Sequence, residues 1–220
     1  TPESRAGAML ADLDPVLLLG EAEGLPPDGP AVTPFDALAV GTGEEEAPPP
    51  PDPGQAMYVM YTSGSTGEPK GIVIPHDGFM RHIGWAAGKI LPGEAVNWAF
   101  ATSQSFESPL RSFLSTVTGG VIHVYPPPPG GGPSLEAVLE DDAVDGVSVT
   151  PALLRLLVRR RWPVHRLRVL VVIGEPFPRE LALKAREAFG PGVELQNWYG
   201  PTETVMACTM HVFDPARDLG

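Results

Sequence analysis

The sequence predicts an α/β fold built of layered βαβ units around a mostly parallel sheet. Two observations carry that expectation. From residue 57 onward, short strand-like runs alternate with amphipathic stretches, and between residues 134 and 200 the order settles into repeated βαβ units. Gly- and Pro-rich segments such as PPPPGGG at 126–132 separate the units, as loops between regular elements do.

Taken in chain order, ESRAGAMLAD (3–12) has apolar residues at helical spacing behind an acidic entrance, and VLLL (16–19) is a short apolar run between Pro15 and Gly20. A helix and then a strand are expected there. GTGEEEAPPPPDPGQ (41–55) joins an acidic run to a proline run, a composition that builds no core and favours extended chain, so it reads as a surface linker. MYVMYTS (57–63) reads as a strand, residues 71–90 as a short extended piece followed by an amphipathic helix, and VNWAFATS (96–103) as a second strand.

Residues 107–118 read as a helix, because Pro109 falls in a first turn where its missing N–H costs nothing, and GGVIHVYP (119–126) as a strand. A helix at 134–141, a strand GVSVT (146–150), a helix from Pro151 to Arg161, a strand LRVLVVIG (167–174), a helix PRELALKAREAFG (178–190) and a strand VELQNWYG (193–200) complete the pattern. This divides the chain into a partial helix/strand unit (1–40), the linker (41–55) and an α/β core (56–220). Arg159, Arg160 and Arg161 read as cations complementing a helix C-terminus, and Trp85, Trp98 and Phe100 as packing residues.

Composition narrows the function classes. A formal charge of −12 with 15 Lys and Arg argues against a nucleic-acid binder, which needs a concentrated positive face. The single Cys208 excludes an internal disulfide framework and fits a reduced, cytoplasmic setting. No run approaches the roughly 18 apolar residues of a membrane span, and TPESRAGAML lacks the plan of a signal peptide.

The chemistry concentrates in YTSGSTGEPKG (61–71). Gly64, Gly67 and Gly71 let the backbone approach an anion, Thr62, Ser63, Ser65 and Thr66 add hydroxyl donors, and Lys70 adds a positive charge. Phosphate is the anion these groups suit. The spacing does not fit GxxxxGK[ST], because Lys70 is followed by Gly71, so a P-loop kinase is disfavoured.

Together with three later motifs, this loop resembles that of the adenylate-forming enzymes, and more narrowly the adenylation domains of nonribosomal peptide synthetases. YTSGSTGEPKG with His76 is similar to the family's phosphate loop, SFES (105–108) to its substrate-amine segment, VIGE (172–175) to its nucleotide-side turn, and NWYGPTE (197–203) to its adenine and magnesium motif. The resemblance implies that Thr62, Ser63, Gly64, Ser65, Thr66, Gly67 and Lys70 hold the β- and γ-phosphates of ATP, with Gly174 and Glu175 at the nucleotide-side turn. Asn197, Tyr199 and Gly200 would meet the adenine, Thr202 the α-phosphate, and Glu203 a Mg²⁺ ion. The reaction implied is attack of a carboxylate on the α-phosphorus, giving an acyl-adenylate and pyrophosphate, a step that depends on positioning and charge neutralisation.

The substrate pocket implied by the resemblance is lined by Phe106, Glu107, Ser108, Arg111, Ser148, Val171, Ile173, Trp198, Met206 and Ala207. Glu107 stands where α-amino-acid activators carry Asp. Arg111 either neutralises it or recognises an acidic substrate, and bulky Trp198 and Ile173 point to a small or closed pocket. Judged against the family, the chain is cut at both ends, without the ribose-binding acid, the hinge and the C-terminal lobe with its lysine, and no catalytic residue is assigned. Two functions follow as expectations: part of a working adenylation domain, inactive on its own, or a degenerate domain serving as a scaffold. Neighbouring synthetase domains, a carrier protein domain, or a second copy meeting exposed apolar surface are the implied partners.

Overall fold

A computed structural model describes residues 3–19, 31–34, 49–63, 69–103, 106–127 and 134–218. Gly64, Ser65, Thr66 and Gly67 of the phosphate-loop motif, Ser105, and residues 41–48 of the expected linker lie outside them.

Helix α1 (Glu3–Leu13) and the paired short strands β1 (Leu18–Leu19) and β2 (Val32–Thr33) open the chain. Strands β3 (Ala56–Ser63) and β4 (Pro69–Pro75) follow, then α2 (His76–Ala87), β5 (Trp98–Phe100), a 3-10 helix over Ser108–Phe113 running into α3 (Leu114–Thr118), and β6 (Ile122–Val124). The second half contains α4 (Leu135–Asp141), β7 (Gly146–Val149), α5 (Pro151–Leu157), β8 (Val169–Ile173), α6 (Arg179–Phe189), β9 (Glu194–Tyr199), β10 (Thr209–Val212) and α7 (Pro215–Asp218).

Among the described residues the main sheet has six strands in the order β10-β9-β8-β7-β5-β6. The pairs from β6 through β9 are parallel, and β10 closes one edge antiparallel to β9. The sheet is covered on both faces, and β8 shows how. Leu170 and Val172 face a core shared with Leu139, Leu154, Leu181, Ala185 and Phe189 of α4, α5 and α6, while Val169, Val171 and Ile173 face Phe79, Ile83 and Ala86 of α2 together with Trp98 and Trp198. Alternation along a strand assigns successive side chains to opposite faces, and burial on both explains why VLVVI is apolar throughout. Helix α2 buries Phe79, His82, Ile83 and Ala86, the i, i+3, i+4, i+7 stripe of an amphipathic helix. At Gly146 a Cβ would sit 2.2 Å from Cζ3 of Trp98, so glycine makes room for the indole across the strand pair.

Several sequence expectations change in detail. Strand 57–63 is outside the parallel sheet: β3 pairs with β4 in a separate antiparallel hairpin, and the glycine- and hydroxyl-rich segment joins the two strands. The helix expected over 107–118 begins as a 3-10 turn with Pro109 at its start. The helix expected to reach Arg161 ends at Leu157, whose carbonyl accepts from the Trp162 indole Nε1 at 2.8 Å. Two of the three arginines beyond it are engaged elsewhere. Arg160 pairs with Glu140 at 3.0 Å and lies 3.8 Å from the Trp162 ring centre, and Arg161 pairs with Glu187 at 3.1 Å. Strand β10 was not expected, because an edge strand with largely exposed side chains leaves little apolar signal.

Candidate functional site

In an open parallel sheet, ligands bind outside the carboxyl ends of the strands. The motif residues collect there. Gly174 and Glu175 follow β8, Tyr199 to Glu203 end and follow β9, and the 106–111 segment follows β5. Gly174 has φ +98, a left-handed conformation that glycine adopts without Cβ strain, which lets the chain turn off the strand end. After β9 the chain folds back: Cys208 N donates to Tyr199 O at 2.9 Å, and a Cβ on Gly200 would lie 2.4 Å from Cα of Ala207. Between them, Val205 (φ 60) and Met206 (φ 63) are held in the left-handed region, a strained pair beside the motif.

The hairpin carries the motif expected to meet phosphate. Thr62 stands opposite Lys70 and Ser63 opposite Pro69, so the two strands present hydroxyls and an exposed ammonium on either side of residues 64–68. Tyr61 donates to Asp12 at 2.6 Å, joining α1 to this hairpin. Tyr199 is 69% exposed and Asn197 half-buried on β9. Glu203 is exposed on a 3-10 turn over Thr202–Thr204. Among the described residues no group of three or more His, Cys, Asp or Glu could hold a metal.

Glu107 links three segments. Its carboxylate accepts from Tyr58 Oη of β3 at 2.7 Å and is also steadied by the Thr202 hydroxyl. Burial raises its pKa, with nearby Glu203 adding to the rise, while Tyr58, Thr202 and Arg111 oppose it. The Tyr58 phenol is pushed well above its ordinary range, first by burial and then by Glu107.

The expected pocket residues form a packed cluster. Arg111, Ser148, Val171, Ile173, Trp198, Met206 and Ala207 are all buried, Glu107 and Ser108 half-buried, and Phe106 67% exposed. Arg111 is fully buried, donates from Nη1 to Ser148 Oγ at 2.7 Å, and has its guanidinium carbon 4.6 Å from the Trp198 ring centre. It makes no ion pair with Glu107 among the described residues. The two interact through space only, and burial draws the Arg111 pKa down to about 10 against the opposing pull of Glu107. Among the described residues its Nε and Nη2 have no hydrogen-bond partner.

Sequence reasoning missed two side chains that shape this cluster. His82 sits 6% exposed beside Trp85 and Trp198, with Nδ1 3.2 Å from Ala207 O. Burial, reinforced by the Arg111 charge, lowers its pKa to about 4, so the ring is neutral at pH 7. Gln196, fully buried, accepts from Trp198 Nε1 at 2.8 Å and donates to Lys89 O at 3.2 Å, which fixes the indole. A histidine at a core-facing position of α2 and a glutamine between Leu195 and Trp198 on β9 were the available signals.

Comparisons with known proteins identify the family and the fold. The sequence matches the family described as AMP-binding enzyme over residues 3–220. It is 33% identical to tyrocidine synthase 3 of Brevibacillus parabrevis over 97% of the chain and 3% of that protein. It is 32% identical to the L-proline--[L-prolyl-carrier protein] ligase of Streptomyces coelicolor, covering 97% of the chain and 46% of that protein. The fold superposes on an artificially fused adenylation–PCP di-domain, NpsA-ThdA of Klebsiella oxytoca, with a TM-score of 0.81 at 24% identity, over 97% of this chain and 43% of that one. The chain thus spans less than half the length of each.

Proposed function

The chain belongs to the AMP-binding enzyme family, whose members bind ATP and AMP, and on that premise we propose that it forms the nucleotide- and acid-binding part of a nonribosomal peptide synthetase adenylation domain. The observation that carries the proposal is convergence: the bases of the phosphate hairpin, the 106–111 segment and the 202–203 turn meet at Glu107 through Tyr58 and Thr202. Residues 62–70 then cradle the β- and γ-phosphates, Asn197, Tyr199 and Gly200 hold the adenine, and Thr202 meets the α-phosphate. Gly174 and Glu175 complete the nucleotide side. A carboxylate oxygen of the acid attacks the α-phosphorus as the bond to pyrophosphate breaks, and the site's contribution is alignment and charge neutralisation.

Glu203 is a suitable protein ligand for Mg²⁺, a hard cation that commonly takes one or two carboxylates and completes its shell with phosphate oxygens and water. Bound there, the ion would neutralise phosphate charge. The acyl product would pass to a neighbouring carrier protein domain, in keeping with the names of the Streptomyces relative and the Klebsiella di-domain.

A second reading, a non-catalytic scaffold, draws on one observation: Arg111 and Trp198 fill the acid end from within. Thermal melting with a non-hydrolysable acyl-sulfamoyl adenosine separates the two. An adenylation site is stabilised more by the joined analogue than by AMP or the free acid. Equal stabilisation by AMP alone would mean that the acid end is closed, and no stabilisation by either would remove the nucleotide assignment.

A further inference from the structure

The interior of the acid end holds a cation with no ion-pair partner among the described residues. Arg111 is fully buried on the turn after Glu107, yet its only hydrogen bond among the described residues is the one from Nη1 to Ser148. Glu107 does not complete it, because that carboxylate is engaged by Tyr58. His82 adds no negative charge, and Trp198 offers only the face of its ring. A buried guanidinium with two donors unmade is costly, since leaving a charged group unsatisfied forfeits its hydration without replacement.

The two unpaired donors, Nε and Nη2, are the side-on edge of the guanidinium, whose parallel N–H bonds match the two oxygens of a carboxylate. Glu107 and Ser108, just before Arg111, are half-exposed, so the cluster reaches solvent at that end.

We propose that this site selects acids carrying a second carboxylate, which Arg111 receives through Nε and Nη2, in preference to acids carrying an ammonium. The inference rests on the adenylation reading and deepens it: one carboxylate is activated at the α-phosphate while the other is bound in the interior.

The test uses the full chain with saturating MgATP and calorimetric titration of malonate, succinate and glutarate. Each is compared with the monocarboxylate of equal carbon number, and 4-aminobutyrate serves as the cationic probe. The expected result is that at least one dicarboxylate binds about ten- to a hundredfold more tightly than its monocarboxylate, the scale of one charge-assisted pair. That advantage disappears in Arg111→Met and is reduced in Arg111→Lys, which keeps the charge but loses the paired donors. Should Arg111→Met not fold, the wild-type comparison and Arg111→Lys still decide. Equal binding of di- and monocarboxylates, preference for 4-aminobutyrate, or no detectable binding of any of these acids to the MgATP complex would overturn the proposal while leaving the nucleotide assignment standing. Failure of MgATP itself to bind the folded chain would overturn both.

Discussion

Protonation of His82 should cost the fold more than any surface histidine. Its imidazole is 6% exposed, packed among Trp85, Trp198 and the Arg111 guanidinium, and its pKa falls from 6.5 to about 4. The sign follows directly. The unfolded chain binds the proton more readily, so the stabilising contribution is complete above about pH 6.5, declines as pH falls, and is lost by about pH 4. The fall from 6.5 to about 4, at about 1.4 kcal/mol for each pH unit, amounts to about 3.5 kcal/mol in full, of which about 3 kcal/mol is lost between pH 7 and pH 4. Glu107, whose pKa is raised, contributes with the opposite sign, gaining stability as it protonates, so wild type alone does not isolate the effect. Urea denaturation of wild type and His82→Gln from about pH 7 to about pH 4 does. Wild type should lose about 3 kcal/mol relative to the variant over that window. Parallel profiles would refute the buried, neutral histidine beside Arg111.

Other perturbations read different parts of the structure. Tyr58→Phe removes the phenol from Glu107 and should destabilise by about 1.5 kcal/mol in denaturant melts, while the Glu107 carboxyl, followed by carbon-detected NMR titration, shifts further upward. Val205→Gly relieves a β-branched residue at φ 60 and should stabilise the chain by about 0.5–1 kcal/mol; destabilisation would mean that packing outweighs the strain. Gly146→Ala forces the 2.2 Å contact with Trp98 and should cost about 3 kcal/mol, with a change in tryptophan fluorescence marking the displaced indole.

The fold was largely legible because its strands and helices carry strong periodic signals. VLVVI is apolar on both faces since helices cover both, and the α6 segment is amphipathic because one side meets the sheet. What the pattern could not convey was partnership. A run of strand residues does not state its neighbour, so the antiparallel pairing of β3 with β4 outside the main sheet emerged only in three dimensions. The end of α5 depended on an indole five residues away in sequence taking a backbone carbonyl.

At the site, motif spacing picked out segments that the fold brings to the carboxyl ends of β5, β8 and β9, and the open question between Glu107 and Arg111 was recognised from residue types alone. Which of them pairs with what was a matter of side-chain reach. Tyr58, 49 residues before Glu107, takes the carboxylate, and Ser148, 37 residues after Arg111, takes the guanidinium. His82 escaped notice because a lone histidine on an apolar helix face resembles any core residue until its neighbours are known.

The central claim is that the hairpin and the β9 turn together hold a nucleotide. Calorimetric titration of the folded chain with MgATP tests it most directly, repeated with Lys70→Ala and Thr202→Val. The account predicts saturable one-to-one binding in wild type, weakened about tenfold by either substitution, as expected when one donor to phosphate is lost. Absence of binding at millimolar ATP to a folded wild-type chain, or affinity indifferent to both substitutions, would contradict it.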